Sequence, residues 1–278
     1  MPTGVIKIGG GEGNNPSRVL KEIATRHDRG ESWVLVHGVS SQMDSLCRAV
    51  GIRPHYVISP SGFRSRYVGD EEMELFEAAA LAETSRLCSF LVTLGVPAMP
   101  LDPVTTGFIT GETKNCIREL SGGKVRVLRG NRSGKVVGVD VSPLNWMLKR
   151  GYLPVVPPLG RDRETGRGMN IDGDRAAAAI AGEIGASIMV LLTNVPGLMR
   201  DPDDRATLIP EIRSNEWKEA EAVARGNMKR KVLACREALE RGVSEAVISD
   251  SRVELPLASA TEGGGTRFCR ADCTVIAV

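Results

Sequence analysis

The sequence predicts an α/β fold: a doubly wound, mainly parallel sheet with a few antiparallel additions. Three observations predict it. First, residues 153–157 and 188–192 are apolar runs with the length and β-branched content of buried strands. Between them, Asp172-Gly-Asp174 opens an alanine run that stops at Gly185, the mark of a helix with an acidic first turn and a glycine stop. Strand, helix, strand is a parallel crossover unit. Second, the chain opens twice in succession as strand, glycine loop and helix. Third, the same alternation resumes towards the C-terminal end. In such sheets ligands gather at the carboxyl ends of the strands, and Asn170, Asp172 and Asp174 fall at that mouth.

Taken in order, residues 4–8 read as a strand running into Gly9, Gly10, Gly11 and Gly13, and Asn15-Pro16 starts a helix to about Arg29. Residues 32–36 form the next strand, broken by His37-Gly38-Val39, and a helix follows over 42–50. Residues 52–66 read as irregular and basic, with Arg53, Arg64 and Arg66. Residues 70–94 form a long helix with Met73, Phe76, Ala80, Leu87 and Leu91 at helical spacing, a stripe that suits core packing or a dimer seam. Short strands with glycine turns over 96–139 read as a β-ribbon insertion, and Ser142 caps a helix to Arg150. Beyond the central unit come a polar loop at 201–205, helices over 214–224 and 226–240, a strand over 245–249, and a Gly263–Gly265 turn leading to the final strands. Two lobes without a flexible joint, residues 1–165 and 166–278, describe the organisation, with the seam near residues 160–168.

Composition narrows the function. A 42% hydrophobic chain of 278 residues has ample core, and 36 basic against 34 acidic residues argue against nucleic acid as the main ligand. The six cysteines (Cys47, Cys88, Cys116, Cys235, Cys269, Cys273) include no C-x-x-C pair and read as reduced thiols of a cytoplasmic protein. His27, His37 and His55 make no metal-ligand spacing with them, and no protein-held metal is expected. No apolar run approaches a membrane span. Lys7, the Gly9–Gly11 and Gly38 turns, Arg66, Asn170, Asp174 and Lys231 are the polar singularities. Two lysines, backbone N–H nests and one carboxylate are parts of a phosphoryl-transfer site. No Walker or protein-kinase motif is present, and His37 reads as a turn residue rather than a base.

K-I-G-G at 7–10, V-H-G at 36–38, N-I-D-G-D at 170–174, T-N-V-P-G-L at 193–198 and M-K-R-K-V at 228–232 resemble, as an ordered set over nearly the whole chain, the amino-acid kinase family. The closest member type is N-acetylglutamate kinase. Residues 60–67 (P-S-G-F-R-S-R-Y), 123–130 and 226–232 look most like the branch that acts on 2-aminoadipate or glutamate linked to a small acidic amino-group carrier protein, in lysine and sometimes arginine biosynthesis. The resemblance implies a three-layer αβα sandwich around an open sheet, a homodimer, and ATP as phosphoryl donor with Mg²⁺ carried by the nucleotide.

It also implies roles. Lys7 and Lys231 neutralise the transferring phosphoryl group, and Asp174 holds the two lysines. Gly9, Gly10, Gly11 and Gly38 bind phosphate oxygens. Arg66 takes the substrate's α-carboxylate, with Asn170 and Val39 nearby. Thr193, Asn194, Gly197, Leu198, Met228 and Lys229 wall the nucleotide. Asp172 reads as a helix cap, and Arg53 and Arg64 as surface charge or contacts to the acidic carrier. The family's second glycine after His37-Gly38 is Val39 here, which is strained if that position needs a positive φ. Residues 102–111 depart from the family's glycine-rich substrate loop, and the tail 268–278 has no family counterpart. Two rival readings stand beside this one: a kinase of free N-acetylglutamate, and a non-catalytic nucleotide- or amino-acid-binding subunit.

Overall fold

The structure is a computed structural model and describes residues 3–60, 62 and 64–271. The first part runs β1 (Thr3–Ile8), α1 (Pro16–Asp28), β2 (Ser32–His37), α2 (Ser40–Ala49), β3 (Tyr56–Ile58), β4 (Arg64–Arg66), α3 (Asp70–Thr93), β5 (Ala98–Pro100) and α4 (Pro103–Thr106). Then come β6 (Ile109–Thr113), β7 (Ile117–Ser121), β8 (Lys124–Leu128), β9 (Ser133–Val139), α5 (Ser142–Lys149), β10 (Leu153–Val156), β11 (Leu159–Asp162) and β12 (Gly168–Ile171). The last part is α6 (Gly173–Glu183), β13 (Ile188–Thr193), β14 (Glu211–Arg213), α7 (Trp217–Val223), α8 (Met228–Glu240), β15 (Glu245–Asp250), α9 (Pro256–Thr261) and β16 (Thr266–Cys269).

Eight strands form one sheet in the order β14-β16-β15-β13-β1-β2-β10-β5. All neighbours in it are parallel except β15 and β16. The central strands are buried along nearly their whole length, as a parallel sheet covered on both faces requires. Side-chain alternation then divides the core. Val5, Val34, Val36, Met189 and Leu191 pack against the alanines of α6 and against Val232, Ala234 and Ala238 of α8. Ile6, Ile8, Leu35, Val190 and Leu192 pack against Val19 and Ile23 of α1, Leu87 and Leu91 of α3, and Leu257 of α9. This is the expected three-layer sandwich. Lys7 shares the face of Val5, so its side chain is directed at α6 and α8.

Several sequence expectations are refined. Residues 52–66 are not wholly irregular, because β3 and β4 pair antiparallel. The ribbon insertion is narrower than 96–139: β5 belongs to the main sheet, β7 and β8 pair only with each other, and β6, β9, β11 and β12 close a small barrel. The segment 160–168 lies in the β11–β12 hairpin of that barrel, while the main sheet runs unbroken through both halves of the chain. Ser142 does not cap α5; its own N–H donates to Asp140 at 2.9 Å. The stripe on α3 is core, with Met73, Phe76, Ala80, Leu87 and Leu91 all buried. Val39 has φ −135° and carries no strain. Ser61, Phe63, the tail beyond residue 271 and Cys273 lie outside the described residues.

Candidate active site

The α6 N-terminus fixes the first candidate carboxylate, Asp174. Asp172 is the helix cap, accepting the N–H groups of Asp174 and Arg175 at 3.1 Å each. That turn aims Asp174 at the sheet, beneath β1. Lys231 sits in the first turn of α8, and α8 lies close on α6 because Gly182 leaves room. A Cβ there would stand 2.4 Å from the Cβ of Arg241. The result is a three-residue cluster drawn from β1, α6 and α8. Lys7 Nζ lies 2.6 Å from Asp174 Oδ1, and Lys231 Nζ lies 3.0 Å from Oδ2 and 3.3 Å from Oδ1.

All three side chains are under 10% exposed, so the charges interact in a nearly dry setting. Burial pushes the Lys7 ammonium below its ordinary value; Asp174 offsets part of that and Lys231 adds to it. Burial alone would raise Asp174, but Lys231 and then Lys7 outweigh it and hold the carboxyl well below the usual carboxylate range. Two cations on one anion leave a surplus positive charge at the carboxyl end of the sheet. Both carboxylate oxygens of Asp174 accept from ammonium groups.

The glycine loop is partly as expected. Gly9 N–H donates to Leu192 O and Gly38 N–H donates to Ile8 O, each at 3.0 Å, so both extend the sheet rather than offer themselves to phosphate. Among the described residues the N–H groups of Gly10 and Gly11 have no acceptor. Gly10 is required by close approach: a Cβ there would lie 2.1 Å from the carbonyl carbon of Gly38. A cavity of about 240 Å³ beside the loop is lined by Gly9–Gly11, His37, Ser41 and Glu83, on the α3 side and not the lysine side. His37 ends β2 and is no base. Burial lowers it to about 4. Thr84 Oγ1 gives its hydrogen to Ala80 O, so at 2.8 Å it accepts from His37 Nε2.

Other expected residues lie elsewhere. The Val39 side chain is buried in the α2–α3 core. Arg66 does not face an open cleft: its Nη2 donates to Asp44 Oδ1 and, at 2.8 Å, to Tyr56 Oη. The nearer carboxylate, presented by α2, occupies the guanidinium. Asn170 donates to Ser133 Oγ at 2.9 Å within the barrel. Thr193 O accepts from Ser251 N at 2.7 Å, and Asn194 donates to Glu12 O at 3.2 Å beside the glycine loop. Gly197 packs on Thr266, whose Oγ1 accepts Leu198 N–H at 2.8 Å, and the Leu198 side chain is buried in the core. Met228 packs on the core edge, and Lys229 reaches towards Gly62.

Sequence reading missed Arg230. It donates to Asp172 Oδ2 at 3.1 Å and to Arg64 O at 2.6 Å, tying α8 to the α6 cap and to β4. It also missed Asp44 and Tyr56. No local signal marks these contacts, which join residues far apart in the chain.

The pattern that defines the amino acid kinase family matches residues 2–250. A protein from Deinococcus radiodurans named LysW-aminoadipate kinase is 38% identical over 263 residues, covering 94% of this chain and 90% of the relative. A Thermus thermophilus protein of the same name is 36% identical, covering 94% of this chain and 98% of the relative. Among solved structures, N-acetylglutamate synthase from Neisseria gonorrhoeae superposes with a TM-score of 0.79 at 24% identity. It covers 98% of this chain, which spans 60% of the synthase. That likeness is one of fold.

Proposed function

This chain belongs to the amino acid kinase family, and from that premise we propose that it transfers the γ-phosphoryl group of ATP to the side-chain carboxylate of carrier-linked 2-aminoadipate or glutamate. The product is an acyl phosphate in amino-acid biosynthesis. The observation that carries the reading is the pair of ammonium groups, from β1 and α8, held on Asp174. A glutamate-like carboxylate, with a pKa of about 4.3, is ionised at neutral pH and needs no general base. Its oxygen attacks the γ-phosphorus, and the bond to the bridging oxygen breaks and leaves its electron pair with ADP. The barrier is repulsion between two anions. Lys7 and Lys231 lower it by sharing their charge with the phosphoryl oxygens, while Asp174 keeps both ammonium groups aimed. Gly10 and Gly11 N–H groups are the donors left for phosphate. Mg²⁺ travels on the nucleotide phosphates.

The acyl substrate is assigned to the lobe of residues 1–165, anchored by Arg66, and the nucleotide to residues 166–278, near Thr193–Leu198 and Met228. Carrier dependence has two supports. The relatives are named for a LysW-linked substrate. In addition, exposed Arg53, Arg118, Lys124, Arg126 and Arg129 line the β3–β4 hairpin and the β7–β8 ribbon, a surface suited to an acidic partner. A homodimer fits the apolar groove of about 740 Å³ between α3 and the α4–β5 edge, lined by Leu81, Cys88, Val92 and Leu101.

The test supplies purified protein and ATP with carrier-linked 2-aminoadipate, carrier-linked glutamate or free N-acetylglutamate, and traps acyl phosphate with hydroxylamine. Hydroxamate from a carrier-linked substrate well above the free one is expected. Equal turnover of the free acetylated acid would overturn the substrate assignment, and no hydroxamate from any of them would overturn the activity.

A further inference from the structure

We propose that Asn14 and Ser251 are positioning residues for the phosphate chain of ATP. Together they fix the glycine loop so that the consecutive N–H groups of Gly11, Glu12 and Gly13 stay turned out for phosphate oxygens. The inference rests on the reading of that loop as the phosphate binder. Asn14 Nδ2 donates to Gly11 O at 2.9 Å. Its Oδ1 accepts from Ser251 Oγ at 3.1 Å, which decides which end of the amide faces the loop. Ser251 Oγ also accepts from Asn15 N–H at 3.3 Å, and Ser251 N–H donates to Thr193 O at 2.7 Å. Ser251 is fully buried directly after β15, and Thr193 ends the neighbouring β13. One side-chain relay thus ties the loop to the carboxyl edge of the sheet.

Two further restraints act in the same way. Ser41 N–H, at the start of α2, holds Gly10 O at 2.8 Å, and Asn194 Nδ2 holds Glu12 O at 3.2 Å. With Asn14 on Gly11 O, the carbonyls of Gly10, Gly11 and Glu12 are all engaged, from both sides of β1. In a trans peptide the carbonyl and the following N–H point in opposite directions. Each restraint accordingly turns the next N–H, of Gly11, Glu12 or Gly13, away from the atom that holds the carbonyl. Among the described residues none of these N–H groups has an acceptor. Gly11, Glu12 and Gly13 are exposed, so a ligand can reach them. Successive unpaired N–H groups make an anion-binding concavity. A loop rich in glycine has much backbone freedom to lose on binding, and restraint beforehand removes part of that cost. Asn14 and Ser251 touch no phosphate themselves; they act through the loop.

Isothermal titration of the intact protein with ATP, inorganic tripolyphosphate and adenosine tests this independently of the acyl substrate. Ser251→Ala should weaken ATP and tripolyphosphate about fivefold each, the scale of one neutral hydrogen bond, and leave adenosine as in the wild type. Asn14→Ala, which also removes the donor to Gly11 O, should weaken both about tenfold. Asn14→Asp, which keeps an acceptor for Ser251 but loses the amide donor, should bind tripolyphosphate no better than Asn14→Ala. The double variant should match Asn14→Ala, because Ser251 acts through Asn14. Additive losses in the double variant would overturn that relay. Equal losses for adenosine and tripolyphosphate would overturn the proposal, because the pair would then support the fold alone. Unchanged tripolyphosphate affinity in both single variants would overturn it too, while leaving the loop as the phosphate binder. A wild type that binds adenosine but not tripolyphosphate would instead remove the reading of the loop, and this proposal with it.

Discussion

At the scale of single residues, the charge cluster makes the sharpest prediction. Lys7→Ala or Lys231→Ala should each cut kcat by about 10²-fold, with little change in KM, as loss of one charge-stabilising group does. Rapid-quench measurement of acyl phosphate formation checks it. His37 gives a second prediction of different kind. It is neutral in the folded protein, where burial holds it near 4, but takes a proton near 6.5 once unfolded. The unfolded state therefore binds more protons between those values, and stability falls as pH drops from about 6.5 to 4, by up to about 3 kcal/mol. Urea unfolding at both ends of that window should show a smaller loss for His37→Gln than for the wild type. Lys7 and Asp174 were legible in the sequence because a lysine after a buried strand and a carboxylate one step inside a helix cap are both anomalous; Lys231, in a run of three basic residues, was marked only by the family pattern. Asp44 was not, because a carboxylate on a helix surface looks solvated until the strand bearing Arg66 is laid against it.

At the scale of elements, the two glycine loops separate close packing from anion binding. Gly10→Ala should lower the melting temperature and abolish ATP-dependent stabilisation, since a methyl there meets the backbone of Gly38 and Val39. Gly11→Ala, with nothing within 4 Å of the new carbon, should melt like the wild type. Differential scanning fluorimetry with and without ATP distinguishes them. Strand and helix periodicity foretold β1, β2, β13 and α6 closely. The barrel of β6, β9, β11 and β12 was not foreseen, because closing it pairs β6 and β9 with the distant β11 and β12 and the strands are short. Val39 taught the opposite lesson. The φ of −135° means that the turn after Gly38 makes no demand for glycine, so the departure from the family pattern carries no backbone cost.

At the scale of the whole molecule, the parallel sheet was legible in the continuous apolar runs of its central strands, which bury both faces, while the three-layer sandwich was what the family resemblance implied. What covers the outer side of α3 is a separate matter. Leu81 and Val92 stand 42% and 56% exposed along the groove, large apolar area for a surface helix. Val92→Glu should shift a dimeric wild type towards monomer in light scattering, while leaving the far-UV circular dichroism unchanged. A monomeric wild type at assay concentration would remove the homodimer assignment.

The burial of the Lys7–Asp174–Lys231 cluster has one more consequence. Dissolved electrolyte mutes charges that stand in water and barely reaches those sealed from it. The cations of the β7–β8 ribbon are therefore tunable by the medium, and the trio under β1 is not. The proposed capture of an acidic partner and the proposed bond-making step are thus electrically insulated from each other within one small protein.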